Sequence, residues 1–153
     1  MKNKNKIILY ATIAIIIIVA DRFTKSWALT LLNERIITPF LSFGLAFNRG
    51  LSWGMLNSDN TYLFLILNMI IAVVIVAMIG YTIYCWRHQQ PIIGPVLILA
   101  GALSNYFDRI YYGAVIDFIV VSFGSWSWPA FNIADAAIVC GVGLILLTHY
   151  KNS

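Results

Sequence analysis

The chain has 153 residues, of which 61% are hydrophobic and 10% charged. A soluble domain carries roughly 25% charged residues, so the composition excludes an ordinary water-soluble domain and places the chain in the membrane class. The net charge is only +4, and its basic start, Lys2, Lys4 and Lys6, runs directly into an apolar stretch; that pattern reads as a membrane-orienting flank and argues against nucleic acid as a partner.

A crossing helix needs roughly 20 apolar residues, and four stretches qualify: 7–28, 63–86, 92–112 and 131–150. The first lacks an A-x-A cleavage pattern and is followed at once by Asp21, Arg22 and Lys25, which predicts an uncleaved helix. Between the first and second stretches, 33–58 carries Phe40, Phe43, Leu45, Phe47 and Trp53 among Gly44, Gly50 and Gly54; the partial alternation predicts a small sheet on the outer surface. A second outer segment, 113–129, is expected to hold a short interfacial helix or turn. Trp27, Trp86, Trp126 and Trp128 fall near span ends, as an interfacial aromatic belt would place them. The expectation is a single membrane domain over 1–153, all-α, with four transmembrane helices and a small β-rich extracytoplasmic subdomain. The basic first flank puts both termini in the cytoplasm.

In that arrangement Asp21, Glu34, Asp59, Asp108, Asp117 and Asp135, all six acidic residues, map to the outer side. An Asp inside a span costs ~2.5–3.5 kcal/mol on insertion scales, so it persists where it pairs, faces water or works. Asp21 and Lys25 are four apart on one helix face and form a self-neutralising pair, a structural role. Asp108 and Arg109 are adjacent and point about 100 degrees apart, so each needs another partner; Asn105 shares a face with Asp108, as Asn132 does with Asp135. Ala134 and Ala136 permit close helix approach.

His88 and His149 lie at the opposite ends of their spans, so a Ser-His-Asp arrangement fails on topology, and Cys85 and Cys140 have no metal-ligand spacing. Carboxylates, amides and an arginine remain. Two carboxylates sharing a proton can activate water, one as base and one as acid. From the residues alone the reading stops at a functional carboxylate site at the outer face. A peptidase, a small proton-coupled transporter and a non-enzymatic assembly subunit all stay open.

The motifs then resemble those of the bacterial lipoprotein signal peptidases (signal peptidase II). Asp-Arg-Phe-Thr-Lys at 21–25 resembles the first motif and Phe-Asn-Arg-Gly-Leu-Ser-Trp-Gly at 47–54 the second. Gly-Ala-Leu-Ser-Asn-Tyr-Phe-Asp-Arg at 101–109, continuing to Asp117-Phe118, is similar to the third, and Phe-Asn-Ile-Ala-Asp at 131–135 to the fourth. One departure is Ser104, where the family usually has Gly; its hydroxyl is expected to bond its own helix backbone, with little effect on activity. The resemblance implies an intramembrane aspartic endopeptidase in the cytoplasmic (inner) membrane with Asp117 and Asp135 as the catalytic pair. It implies that Asn48, Gly50, Asn105, Asp108, Arg109, Asn132 and Ala134 line or support the site, and that Asp21 and Lys25 support the outer domain. The implied substrate is a diacylglyceryl-modified prolipoprotein, cut before its lipidated cysteine. Membrane lipid and globomycin-type inhibitors are implied as further partners, and neither a metal nor another cofactor.

Overall fold

The structure, a computed structural model, describes residues 2–50 and 60–151. Positions 51–54 of the second motif, with Trp53 and Gly54, and Asp59 lie outside the described residues. Four helices are present: α1 (Lys2–Ala28), α2 (Thr61–Arg87), α3 (Ile93–Tyr112) and α4 (Ile133–Lys151). α1, α2 and α4 are long and apolar enough to cross a membrane. α3 is of crossing length, but it carries Asn105, Asp108 and Arg109, and all three are buried against the rest of the protein.

α3 and α4 approach closely because small residues face each other seven apart on both helices. A Cβ on Gly94 would sit 2.8 Å from the Gly141 carbonyl oxygen, a Cβ on Gly141 would sit 2.6 Å from that of Gly94, and a Cβ on Gly101 would run into the Ala134 carbonyl. Backbones this near fix the height of α3 relative to α4, and with it the place of Asn105 relative to the first turn of α4.

The sheet differs from expectation in its extent. The order is β1-β2-β3-β4, antiparallel throughout, with β1 (Arg35–Thr38), β2 (Leu41–Asn48), β3 (Val115–Phe123) and β4 (Trp126–Ser127). The second outer segment was expected to hold a short helix or turn; it supplies a nine-residue strand instead. The run Val-Ile-Asp-Phe-Ile-Val-Val-Ser-Phe is β-branched and aromatic and fits a pleated, half-buried surface. Gly113, at φ 68, ends α3 in the left-handed conformation that favours glycine, so β3 starts two residues later. An irregularity in β2 between Phe43 and Ala46 shifts its register so that Ala46 faces Asp117 and Asn48 faces Val115.

An aromatic cluster seats the sheet on α1. Ala28, Ile116 and Phe118 are buried together, and Trp27 meets Phe43 edge-on at 5.3 Å and Phe118 at 6.2 Å. Trp27 is therefore packed under the sheet as well as lying near a helix end. Phe131 pairs with Ile119 through backbone bonds in both directions, which brings the start of α4 against β3.

Candidate active site

α3 carries two polar clusters on its C-terminal half. The first lies between α1 and α3. Lys25, 1% exposed, places its ammonium 2.8 Å from Asp21 and 2.7 Å from Asp108, both fully buried. Arg22 bonds Asp21 at 3.0 Å and Asp108 at 2.5 Å, and stacks over Phe107. Asp21 is thus more than the partner of Lys25: two acids and two bases close a neutral set. The other oxygen of Asp21 accepts from the Ala134 backbone N–H at 3.0 Å, which ties α1 to the first turn of α4.

Ser104 belongs to this set, which corrects its expected place. Its hydroxyl does not bond its own helix. It donates to Asp21 at 2.6 Å and accepts from Arg22 Nε at 3.1 Å. A charged carboxylate held across the helix pair is a stronger acceptor than a backbone carbonyl already engaged in the helix ladder.

The second cluster brings Asp117 and Asp135 to one cavity of about 360 Å³, lined also by Asn48, Asn105, Arg109 and Cys140. Asn132 joins the two acids. Its Nδ2 donates to Asp117 Oδ1 at 2.7 Å, while its backbone N–H donates to Asp135 Oδ2 at 3.2 Å. The Asp135 N–H returns a bond to Asn132 Oδ1 at 2.9 Å. This reciprocal pair is a capping box at the start of α4, built on Asn and Asp in place of the usual Ser and Glu. The i, i+3 spacing seen in the sequence is therefore a helix cap as well as a shared face.

Three amides aim their NH2 groups at the acids, and each is turned that way by a donor on its oxygen. Asn48 Oδ1 accepts from the Gly50 N–H at 3.0 Å, so its Nδ2 meets Asp117 Oδ2 at 3.1 Å. Asn132 Oδ1 is held by the Asp135 N–H. Asn105 Oδ1 accepts from the Lys25 ammonium at 2.7 Å, so its Nδ2 meets Asp135 Oδ1 at 2.7 Å. An ammonium can only donate, so Lys25 fixes the sense of Asn105. Lys25 thus links the two clusters.

Arg109 is buried in the wall of the cavity. Its Nη2 donates to the Gly50 carbonyl at 2.8 Å, and among the described residues its Nε has no hydrogen-bond partner. Burial pushes the Asp117 carboxyl up to about 7, and the charge of Asp135 adds to this against the pull of Asn48, Asn132 and Lys25. Among the described residues no group of three or more His, Cys, Asp or Glu could hold a metal ion.

Every residue that the resemblance implies for the site lies in one of the two clusters. Asn48, Gly50, Asn105, Arg109, Asn132, Asp117 and Asp135 belong to the cavity; Asp21, Lys25, Asp108 and Ala134 belong to the α1–α3 set. Sequence reasoning missed Arg22 as the second cation of that set. It also missed the small-residue pairs Gly94 and Gly101 on α3 and Ala134 and Gly141 on α4, whose seven-residue spacing was a readable signal of helix contact.

The sequence profile of signal peptidase (SPase) II matches residues 13–151. The chain is 38% identical to the lipoprotein signal peptidase of Francisella tularensis subsp. novicida over 146 residues, covering 90% of this chain and 88% of that one. It is 36% identical to the lipoprotein signal peptidase of Polynucleobacter necessarius subsp. necessarius, covering 94% and 90%. Two solved structures described as bacterial membrane enzymes superpose with TM-scores of 0.76 and 0.74, at 25% and 29% identity. They cover 94% and 95% of this chain and 88% and 94% of their own chains.

Proposed function

The chain belongs to the signal peptidase II family, a family of bacterial membrane proteases that remove signal peptides from lipoproteins, and from that premise we propose that it is an aspartic endopeptidase acting through Asp117 and Asp135. Its substrate is a diacylglyceryl-modified prolipoprotein, cut just before the lipidated cysteine. α3 is the fourth crossing helix, both termini are cytoplasmic, and the cavity opens near the outer face, where the substrate's lipid chains anchor its scissile bond. Globomycin-type inhibitors occupy the same cavity.

The observation that carries the reading is the bonding of the two acids. The bonds on them are all donated, from Asn48 and Asn132 to Asp117 and from Asn105 and the Asn132 backbone to Asp135. Among the described residues no amide oxygen is turned to take a carboxyl proton. A proton on this pair therefore has water, substrate or the other carboxylate as its acceptor. That supports a dyad holding one proton at neutral pH, in line with the Asp117 carboxyl being pushed up to about 7; apparent pKa values belong to the pair. The ionised member takes a proton from water as the oxygen attacks the scissile carbonyl. The protonated member gives its proton to the carbonyl oxygen. When the tetrahedral adduct collapses, the member that took the water proton gives it to the leaving amine while the other takes a hydroxyl proton from the adduct, so the pair again holds one proton. The buried guanidinium of Arg109, its Nε unpartnered among the described residues, is a donor suited to a substrate carbonyl.

The test is processing of a labelled prolipoprotein in membranes carrying each variant. Asp117→Asn and Asp135→Asn are expected to lower cleavage by at least about a thousandfold while the protein still accumulates. Normal processing by either variant would remove the dyad.

A further inference from the structure

A second groove lies at the other end of the helices, away from the two polar clusters. It is walled by Ile7, Tyr10 and Ala14 of α1 and by Thr82, Trp86 and Arg87 of α2, with Ile92, Val96 and Leu99 as its floor, and its volume is about 420 Å³. α1 and α2 both pack on α3, and the furrow runs between them. Its α1 wall spans about 10 Å at 1.5 Å per residue. Tyr10 and Trp86 meet edge-on at 6.5 Å across it.

Charge at this end is one-sided. Arg87 lines the groove, and Lys4 and Lys6 precede Ile7 on the same helix. None of the three makes an ion pair among the described residues. The described carboxylates Asp21, Glu34, Asp108, Asp117 and Asp135 belong to the other half of the molecule, in the two clusters and the sheet. The apolar furrow and the uncompensated cations meet at Arg87.

We infer that this groove is a binding site for an anionic phospholipid, with an acyl chain in the furrow and its phosphate at Arg87, Lys4 and Lys6. Lipid tails are as apolar as the groove wall, so filling it does not by itself favour one lipid over another. Selection comes from the headgroup, and a cation near the membrane surface favours an anionic lipid on the order of fivefold. The site is separate from the peptidase cavity and takes lipid as a resident ligand, not as part of a substrate.

The experiment is native mass spectrometry of the full chain released from bilayers of equal phosphatidylglycerol and phosphatidylcholine with matched acyl chains. Wild type is expected to retain phosphatidylglycerol in preference to phosphatidylcholine by at least about fivefold. Arg87→Gln is expected to reduce that preference, and Leu99→Trp, which fills the furrow from its floor, to abolish retention of both lipids. Ala14→Phe fills it from α1 and replaces Leu99→Trp if that variant does not fold. Equal retention of the two lipids by wild type would overturn the inference. So would unchanged retention in the filled variants, or a dimer lost on filling in place of lipid, which would assign the groove to a second copy of the chain.

Discussion

Asp21 and Asp108, between α1 and α3, each meet two cations, Arg22 and Lys25. Among the described residues Asp117 and Asp135 are hydrogen-bonded to amides and one backbone N–H, and Arg109, in the wall of the cavity they share, bonds the Gly50 carbonyl and neither acid. Four carboxylates on one small scaffold, three buried and Asp135 half-buried, thus have two fates. Where cations close the set, the acids are neutralised and the helices are joined. Where the bonds come from neutral donors, ionisation is left half-supported, and in the dyad we propose this lets a proton be held at a pH where water chemistry runs.

The largest effect should come from opening the neutral set. Lys25→Met leaves Asp21 and Asp108 with Arg22 alone, and stranding a buried charge costs about 3–5 kcal/mol. The expected outcome is a steep fall in folded protein, read as accumulation in membranes and resistance to proteolysis. Lys25→Met with Asp108→Asn removes one charge of each sign and should recover most of the protein. Its cleavage rate should stay low, because Asn105 is then free to turn. Full activity in that double variant would show that the two clusters are independent.

The carboxylate pair should respond in the opposite way. Asp117 has a folded value of about 7 against an ordinary 3.8. A raised acid contributes stability that is complete below its unfolded value and is lost as pH rises through the folded one. The difference of about 3 units caps the cost of ionising it at about 4 kcal/mol. Asp117→Asn removes that cost but turns an NH2 group against one of two donor amides. Its melting temperature should therefore exceed that of wild type at pH 8 and fall below it at pH 5. A variant less stable at both would place Asp117 with the compensated acids.

Much of this contrast was legible in the sequence, and the limits have physical causes. Period and length gave the four helices, and motif order gave the residues of both clusters. Pairing across elements was not legible. Asp21 and Lys25 read as a closed pair because i, i+4 spacing is local, whereas the reach of Lys25 to Asp108 and Asn105 depends on how far α1 stands from α3. The strand at Val115–Phe123 was missed because a short apolar run after a helix has no decisive period. The sheet partners of Asp117 depend on a register irregularity in β2, which no local pattern marks.

A smaller effect tests how the amides hold the pair. Asn48 donates to Asp117 Oδ2, and a donor to the ionised form favours it. Asn48→Ala should therefore raise the value at which Asp117 loses its proton. The pH–rate profile is expected to be bell-shaped, with an alkaline limb near 7 in wild type that moves up by about one unit in the variant. An unmoved alkaline limb would mean that the limb belongs to another group.

The smallest effect concerns Ser104, and it decides how far the two clusters communicate. The hydroxyl joins Asp21 and Arg22, so Ser104→Gly takes one partner from each. Asp21 still keeps Lys25, Arg22 and the Ala134 N–H. That redundancy limits the loss to about 1 kcal/mol for the bonds, with a few tenths more for Gly inside a helix. Ser104→Ala separates the two contributions, since it removes the hydroxyl and keeps the helix propensity. Cleavage should stay within about twofold in both variants, because the neutral set reaches the carboxylate pair through Lys25 and the Ala134 N–H and not through Ser104. A tenfold loss in Ser104→Ala would break the separation: the hydroxyl would then be setting the position of Asp21, and through it the first turn of α4 that carries Asp135.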